Sequence, residues 1–132
     1  MSSNIHSNAV IEDGAKIGQN VTIGPFCHVG PDAVIGDNVV LKSHVSVVGH
    51  TSIGDGTVVF PFAALGSIPQ DKKFKGESSR LIIGARNLIR EHVTMHPGTE
   101  DDNMETVVGD DGLFMVGVHI AHDCVIGNNV VM

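Results

Sequence analysis

Eight histidines stand in 132 residues, and four of them fall close together in the second half of the chain: His92, His96, His119 and His122. Imidazole changes charge near neutral pH, so such a group can act as a general base on a hydroxyl, bind zinc, or simply face solvent. His119-x-x-His122 alone is a weak zinc pattern. Asp123, directly after His122, could orient the ring or stabilise its charged form, directly or through water. The other four, His6, His28, His44 and His50, lie in a more regular stretch and read as structural or surface residues. The two cysteines, Cys27 and Cys124, match no metal-finger spacing.

A second chemical signal is charge. The net charge is −7, yet Lys72, Lys73, Lys75, Arg80, Arg86 and Arg90 cluster within nineteen residues, opposed there only by Glu77. The cluster reads either as a solvated face or as a docking site for an anion, a phosphate or an acidic protein. Nucleic acid is disfavoured, because the rest of the chain is acidic and Trp and Tyr are absent. No apolar run is long enough to span a membrane. The start, MSSNIHSNAV, lacks the pattern of a secretion signal, so a cytoplasmic, reducing setting is expected.

What positions these residues is a repeat. From Ile5, every sixth residue is aliphatic: Ile11, Ile17, Ile23, Val29, Ile35, Leu41, Val47, Ile53, Val59 and Leu65. Four residues after each comes a small one, among them Ala9, Ala15, Val21, Cys27, Ala33 and Val39. Gly, Asn and Asp cluster between them, as in Ile35-Gly36-Asp37-Asn38, and suit tight corners of positive φ. Helices and meanders do not hold a period of six. The pattern predicts an all-β fold, a single-stranded parallel β-helix in which three hexapeptides close one triangular coil. Cys27 and Cys124 take small corner positions and read as core residues. The repeat breaks twice and resumes through Ile83, Ile89 and Met95, then Val108, Phe114, Ile120, Ile126 and Met132. One domain, 1–132, is therefore expected, with two loops at about 67–80 and 99–107, the sites where a solenoid carries its binding residues. In this register His96, His119 and His122 should all project outward.

The stretches IGPFCHVGP, LKSHV, PQDKKFKGE, IREHVTMHPGT and VHIAHDCVIGNN resemble the family of acyl-carrier-protein-dependent UDP-N-acetylglucosamine O-acyltransferases over essentially the whole chain. The hexapeptide repeat is shared by many acyltransferases; the QDxKxxGE loop and the HIAHDC motif are more specific. The resemblance implies a left-handed coil, against the usual crossover hand. It implies transfer of a 3-hydroxyacyl chain from acyl carrier protein to the sugar 3-hydroxyl, the first acylation of lipid A synthesis. His122 would be the general base and Asp123 its support. Asp71, Lys73 and His119 would contact the sugar nucleotide, with Gln70 and His96 near the same pocket. No metal or diffusible cofactor is needed, and a homotrimer with sites between subunits is implied. Pro97 stands where the family has Arg. The family's chains are longer, carrying further coils, a C-terminal helical region, the chain-length ruler and the oxyanion donor, so a chain ending at Met132 is expected to be poorly active alone. Three alternatives remain: a hexapeptide acyltransferase with another donor, a zinc enzyme of the γ-carbonic-anhydrase type, and an ice-binding β-helix. The last needs a flat Thr array that this sequence lacks.

Overall fold

The structure, a computed structural model, describes residues 3–132. It contains eighteen strands, and all but three are only two residues long. Each strand pairs in parallel with the strand three places further along the chain, which sorts them into three six-stranded sheets. The sheets are the three faces of a triangular prism. Face A begins at Asn4–Ile5, face B at Val10–Ile11 and face C at Lys16–Ile17.

The two-residue strand follows from the repeat. The second residue of each pair is the periodic aliphatic and points inward, as in Thr22–Ile23, His28–Val29 and Val40–Leu41. These inward side chains stack in register, Ile23 on Leu41 and Leu41 on Val59. With the small corner residues they form one continuous core from Val21 to Ile120. Cys27 is buried in that core, and its thiol pKa is pushed up by burial. Cys124 packs against the core from a partly buried position.

At the corners the chain turns through left-handed φ. Asn20 and Asn38 sit at φ 57 and 59, a conformation that short polar side chains tolerate. Turning leaves backbone N–H groups without strand partners, and corner carboxylates take them. Asp37 Oδ1 accepts from Gln19 N at 2.9 Å, and Asp55 Oδ1 accepts from Asp37 N at 2.8 Å, 18 residues apart in each case. Further up, Asp110 and Asn128 do the same for Ala85 N and Asp110 N.

One core position departs from the pattern. Phe114 is fully buried on face A, where smaller aliphatics stand in the coils below. Gly112 makes the room: a Cβ there would lie 2.7 Å from the Phe114 ring and 2.8 Å from Asn87 Oδ1. Both polar side-chain atoms of the buried Asn87 find a partner, its amide donating to Gly109 O at 2.8 Å and its oxygen accepting from Gly112 N at 2.7 Å. Satisfied in this way, a buried amide costs little.

Both interruptions of the repeat leave from the same corner, between faces B and C. Loop 1 follows Ala64–Leu65 and loop 2 follows Thr94–Met95. Coil-to-coil spacing lengthens there from 18 residues to 30 and then 25. The ladder resumes earlier than the sequence suggests, at Arg80–Ile83 and Glu105–Val108. The second of these strands begins inside the segment expected as loop. It does so because Glu105 pairs with Arg80 at 2.6 Å and Thr106 fills the small core position.

Candidate active site

The next passage from face B to face C has no insertion. The tight turn Ala121-His122-Asp123-Cys124 crosses the corner directly after strand His119–Ile120. His122 and Asp123 are thus placed by the rigid ladder, and the two loops come to them.

Asp123 takes φ 64, and its carboxylate turns back onto the neighbouring ring, with Oδ2 2.9 Å from His122 Nδ1. The carboxylate is otherwise enclosed. Its side chain is only 2% exposed, and Thr99 donates to it twice, from the backbone N at 2.9 Å and from Oγ1 at 2.7 Å. Asn103 N adds a bond at 3.2 Å, and Asp123's own N–H donates to Thr106 Oγ1 at 2.9 Å. Burial opposes charge on this carboxyl, but the bonds from Thr99, His122 and Asn103 prevail and hold its pKa below the usual aspartate value. An ionised Asp123 can only accept at Nδ1, so that nitrogen carries the proton of the contact and Nε2 is the nitrogen turned away from it. Nε2 faces loop 1, 3.9 Å from Asp71 Oδ2.

Beside this pair lie the other two histidines. His119 stands at the outward position of its strand, and its Nδ1 bonds Thr94 Oγ1 at 2.8 Å. His96 meets His119 edge-on, with ring centroids 4.8 Å apart. His96 does not project outward as its register predicts. It is 6% exposed, because residues 95–99 are all buried at the corner where both loops emerge. Burial first, then the neighbouring His119 and His122, lowers its pKa, so it is neutral at physiological pH. Its Nδ1 is buried without a partner in the protein.

Loop 1 brings Asp71 to the site but leaves Gln70 and Lys73 exposed. Lys73 contributes its backbone N–H to Asp71 Oδ1 at 3.0 Å, a local turn that steadies the carboxylate. Of the basic cluster, three arginines are held in ion pairs: Arg80 with Glu105, Arg86 with Asp111 and Arg90 with Glu91. Arg90 also lies 4.4 Å over the Phe60 ring. Lys72, Lys73 and Lys75 stand exposed on loop 1 without an ion pair among the described residues. Pro97 is buried and lines a cavity of about 220 Å³ beneath loop 1, with Ile68 and Phe74. Among the described residues no three His, Cys, Asp or Glu side chains converge as metal ligands. Sequence reasoning missed Thr99 and Glu77, whose bonds link segments outside the repeat, and Thr106, a small core position that also accepts from Asp123 N; no local motif marks them.

The early coils match the family model for the bacterial transferase hexapeptide (six repeats), at residues 2–31 and 14–49. An acyl-[acyl-carrier-protein]–UDP-N-acetylglucosamine O-acyltransferase of Rickettsia rickettsii is 57% identical over 123 residues, 93% of this chain and 47% of that protein. The Paracoccus denitrificans protein of the same name is 67% identical over 75 residues, 57% of this chain and 29% of its own length. The solved structure of LpxA from Acinetobacter baumannii superposes with a TM-score of 0.95 at 48% identity, over 96% of this chain and 49% of that one. The chain belongs to the hexapeptide-repeat acyltransferase family. It spans about half the length, or less, of the curated relatives it matches. Its triangular β-helix is the fold of those solved structures.

Proposed function

We propose that this chain carries the general base of an O-acyltransferase that moves a 3-hydroxyacyl group from acyl carrier protein to the 3-hydroxyl of UDP-N-acetylglucosamine, the opening acylation of lipid A synthesis. The observation that carries the reading is the setting of His122. Nδ1 lies 2.9 Å from the enclosed, ionised Asp123, while Nε2 opens toward a loop carboxylate 3.9 Å away. That is the arrangement a base needs to take a proton from an alcohol. The relatives' names supply the donor and the acceptor.

In the reaction, Nε2 takes the hydroxyl proton as the sugar oxygen bonds to the thioester carbonyl. The C–S bond then breaks, and the proton passes from the imidazolium to the departing thiolate, which leaves as the carrier's thiol. Asp123 and Asp71, one on each side of the ring, favour the positive charge that the imidazole holds between those steps. The exposed His119, with His96 packed edge-on behind it, gives a sugar nucleotide an imidazole beside the base. Lys72, Lys73 and Lys75 offer positive charge to a diphosphate or to an acidic carrier. His122 is 36% exposed on the outer side of the prism, which suits a site completed by a second subunit of a homotrimer; the proposed setting is the cytoplasm.

The test is transfer by the complete protein with two donors, a 3-hydroxyacyl carrier-protein thioester and acetyl-coenzyme A, each with UDP-N-acetylglucosamine. Product from the first donor alone is expected. Product from acetyl-coenzyme A alone would replace this reading with that of a different hexapeptide acyltransferase. Sedimentation of the same sample is expected to give a trimer.

A further inference from the structure

His122 has a carboxylate on each side, and segments that the repeat does not fix steady both. On the Nδ1 side Asp123 is hydrogen-bonded to the ring, and loop 2 holds it through Thr99. On the Nε2 side Asp71 of loop 1 lies 3.9 Å away. Glu77 joins the two loops. Its Oε1 accepts from Lys75 N at 2.7 Å within loop 1, and its Oε2 accepts from Glu100 N at 2.8 Å in loop 2. Glu100 is the residue after Thr99, so the contacts close a ring from Asp71 through His122, Asp123, Thr99, Glu100 and Glu77 back to loop 1. Gly98 N also donates to Arg80 O at 3.2 Å, Arg80 N to Met104 O at 2.9 Å and Arg80 Nη2 to Glu105 Oε2 at 2.6 Å, all where the ladder restarts.

We propose that Glu77 is a positioning residue for the base: its carboxylate clasps loop 1 to loop 2 and thereby fixes the surroundings of both nitrogens of His122 at once. Both backbone donors need an acceptor oxygen, and only an ionised carboxylate offers two. A glutamine keeps the size and shape but turns an NH2 toward one of the two N–H groups, so it opens one arm of the clasp. Glu77 is partly exposed and lies outside the hydrophobic core, so Glu77→Gln should leave the coil stack folded. Its effect on transfer rests on the function proposed above; the clasp itself does not.

The experiment compares the complete wild-type protein with Glu77→Gln, using isotope-labelled samples, amide hydrogen exchange and the ring-nitrogen signals of His122. Exchange of the Glu100 amide is expected to quicken about 10-fold or more in the variant, as a bonded amide becomes a solvated one. The His122 ring signals should shift from a single Nδ1-protonated form toward a mixture of tautomers. Glu100→Gln, which keeps the backbone N–H, should change neither. In transfer assays kcat should fall about 10-fold with a smaller change in KM, the mark of a misplaced base. Unchanged Glu100 exchange and unchanged His122 signals in Glu77→Gln would overturn the proposal. If the wild type shows no transfer while both spectroscopic changes occur, the acyltransferase reading fails and the clasp stands. Acidifying the wild-type protein gives a measurement that needs no variant: release of the Glu100 N–H in step with protonation of Glu77 is expected, and release independent of it would also overturn the clasp.

Discussion

Two corners of the same prism carry histidines, and they have become different things. Between faces A and B, Phe26, His44, Phe62 and His92 sit one per coil, all at left-handed φ, with ring centroids 4.9 to 5.3 Å apart. The phenylalanines are 58% and 53% exposed. Among the described residues neither His44 nor His92 has a carboxylate partner. Between faces B and C, His96, His119 and His122 are close-set too, but two insertions have carried Asp71, Thr99 and Asn103 into reach. At the A–B corner the ladder spaces the rings one per coil, and each imidazole lies against phenylalanine. At the B–C corner the ladder supplies His122 with its neighbour Asp123, and the irregular segments add what the A–B corner lacks: the Thr99 and Asn103 donors that hold Asp123, and the Asp71 carboxylate beside Nε2.

The sharpest way to break this contrast is His122→Ala. General-base catalysis contributes about 10² to 10⁴-fold, so transfer by the complete protein should fall about 10³-fold while the melting temperature stays close to wild type. Retained turnover would return His122 to the status of the stacked histidines. Asp123→Asn asks which feature of the site matters. The amide keeps the size and most of the bonds to Thr99, so stability should change by no more than about 1 kcal/mol. Its NH2 would donate to Nδ1 and move the ring proton to Nε2, so the variant should still lose about 10²-fold in transfer. Asp123→Ala separates the two effects further. It leaves both Thr99 donors buried without an acceptor and should cost about 3 kcal/mol in denaturant unfolding.

How much of this could be read in the sequence depends on whether a residue obeys the period. Ile23, Leu41, Ile89 and Phe114 were placed by counting alone, and the structure puts each in the core. His122 and Asp123 lie in register, so their corner was legible, although their roles came from a resemblance and not from spacing. His96 is the instructive miss. Its register position is outward, and it is buried all the same, because the covering segments follow no period and their path over the corner is not encoded locally. Thr99 and Glu77 were invisible for the same reason: each acts through bonds to residues more than twenty positions away. The expected end of loop 2 ran past Glu105 because an Arg80–Glu105 ion pair across coils cannot be seen along one strand.

Acid should erode the B–C corner before the A–B corner. Asp123 and Glu77 both hold their protons less tightly in the folded protein than is usual, Asp123 because its hydrogen bonds outweigh burial and Glu77 because backbone N–H groups bond it. A depressed folded pKa means that the stabilisation is fully present above the unfolded value, about pH 4, and is lost as pH falls through the folded value. Below about pH 4, amide exchange at Thr99, Glu100 and Asn103 should therefore quicken ahead of exchange at His44 and Phe62. Uniform loss across both corners would mean that the loops unfold only with the whole coil stack.

The smallest effect is expected at the stacked corner itself. His44 stands between Phe26 and Phe62, tilted to one and stacked on the other. Its backbone bonds, His44 N to Pro25 O and Phe62 N to His44 O, do not involve the ring. Asparagine accepts the same left-handed φ, as Asn20, Asn38 and Asn129 do at other corners of this chain. His44→Asn therefore removes the ring contacts without straining the turn. Aromatic pairs contribute about 0.5 to 1.5 kcal/mol each, and exposed ones sit at the low end. The variant should lose about 1 kcal/mol or less in denaturant unfolding and transfer at the wild-type rate. A large fall in transfer with little loss of stability would show that the regular ladder, without acid partners, also takes part in the chemistry, and the contrast between the two corners would fail.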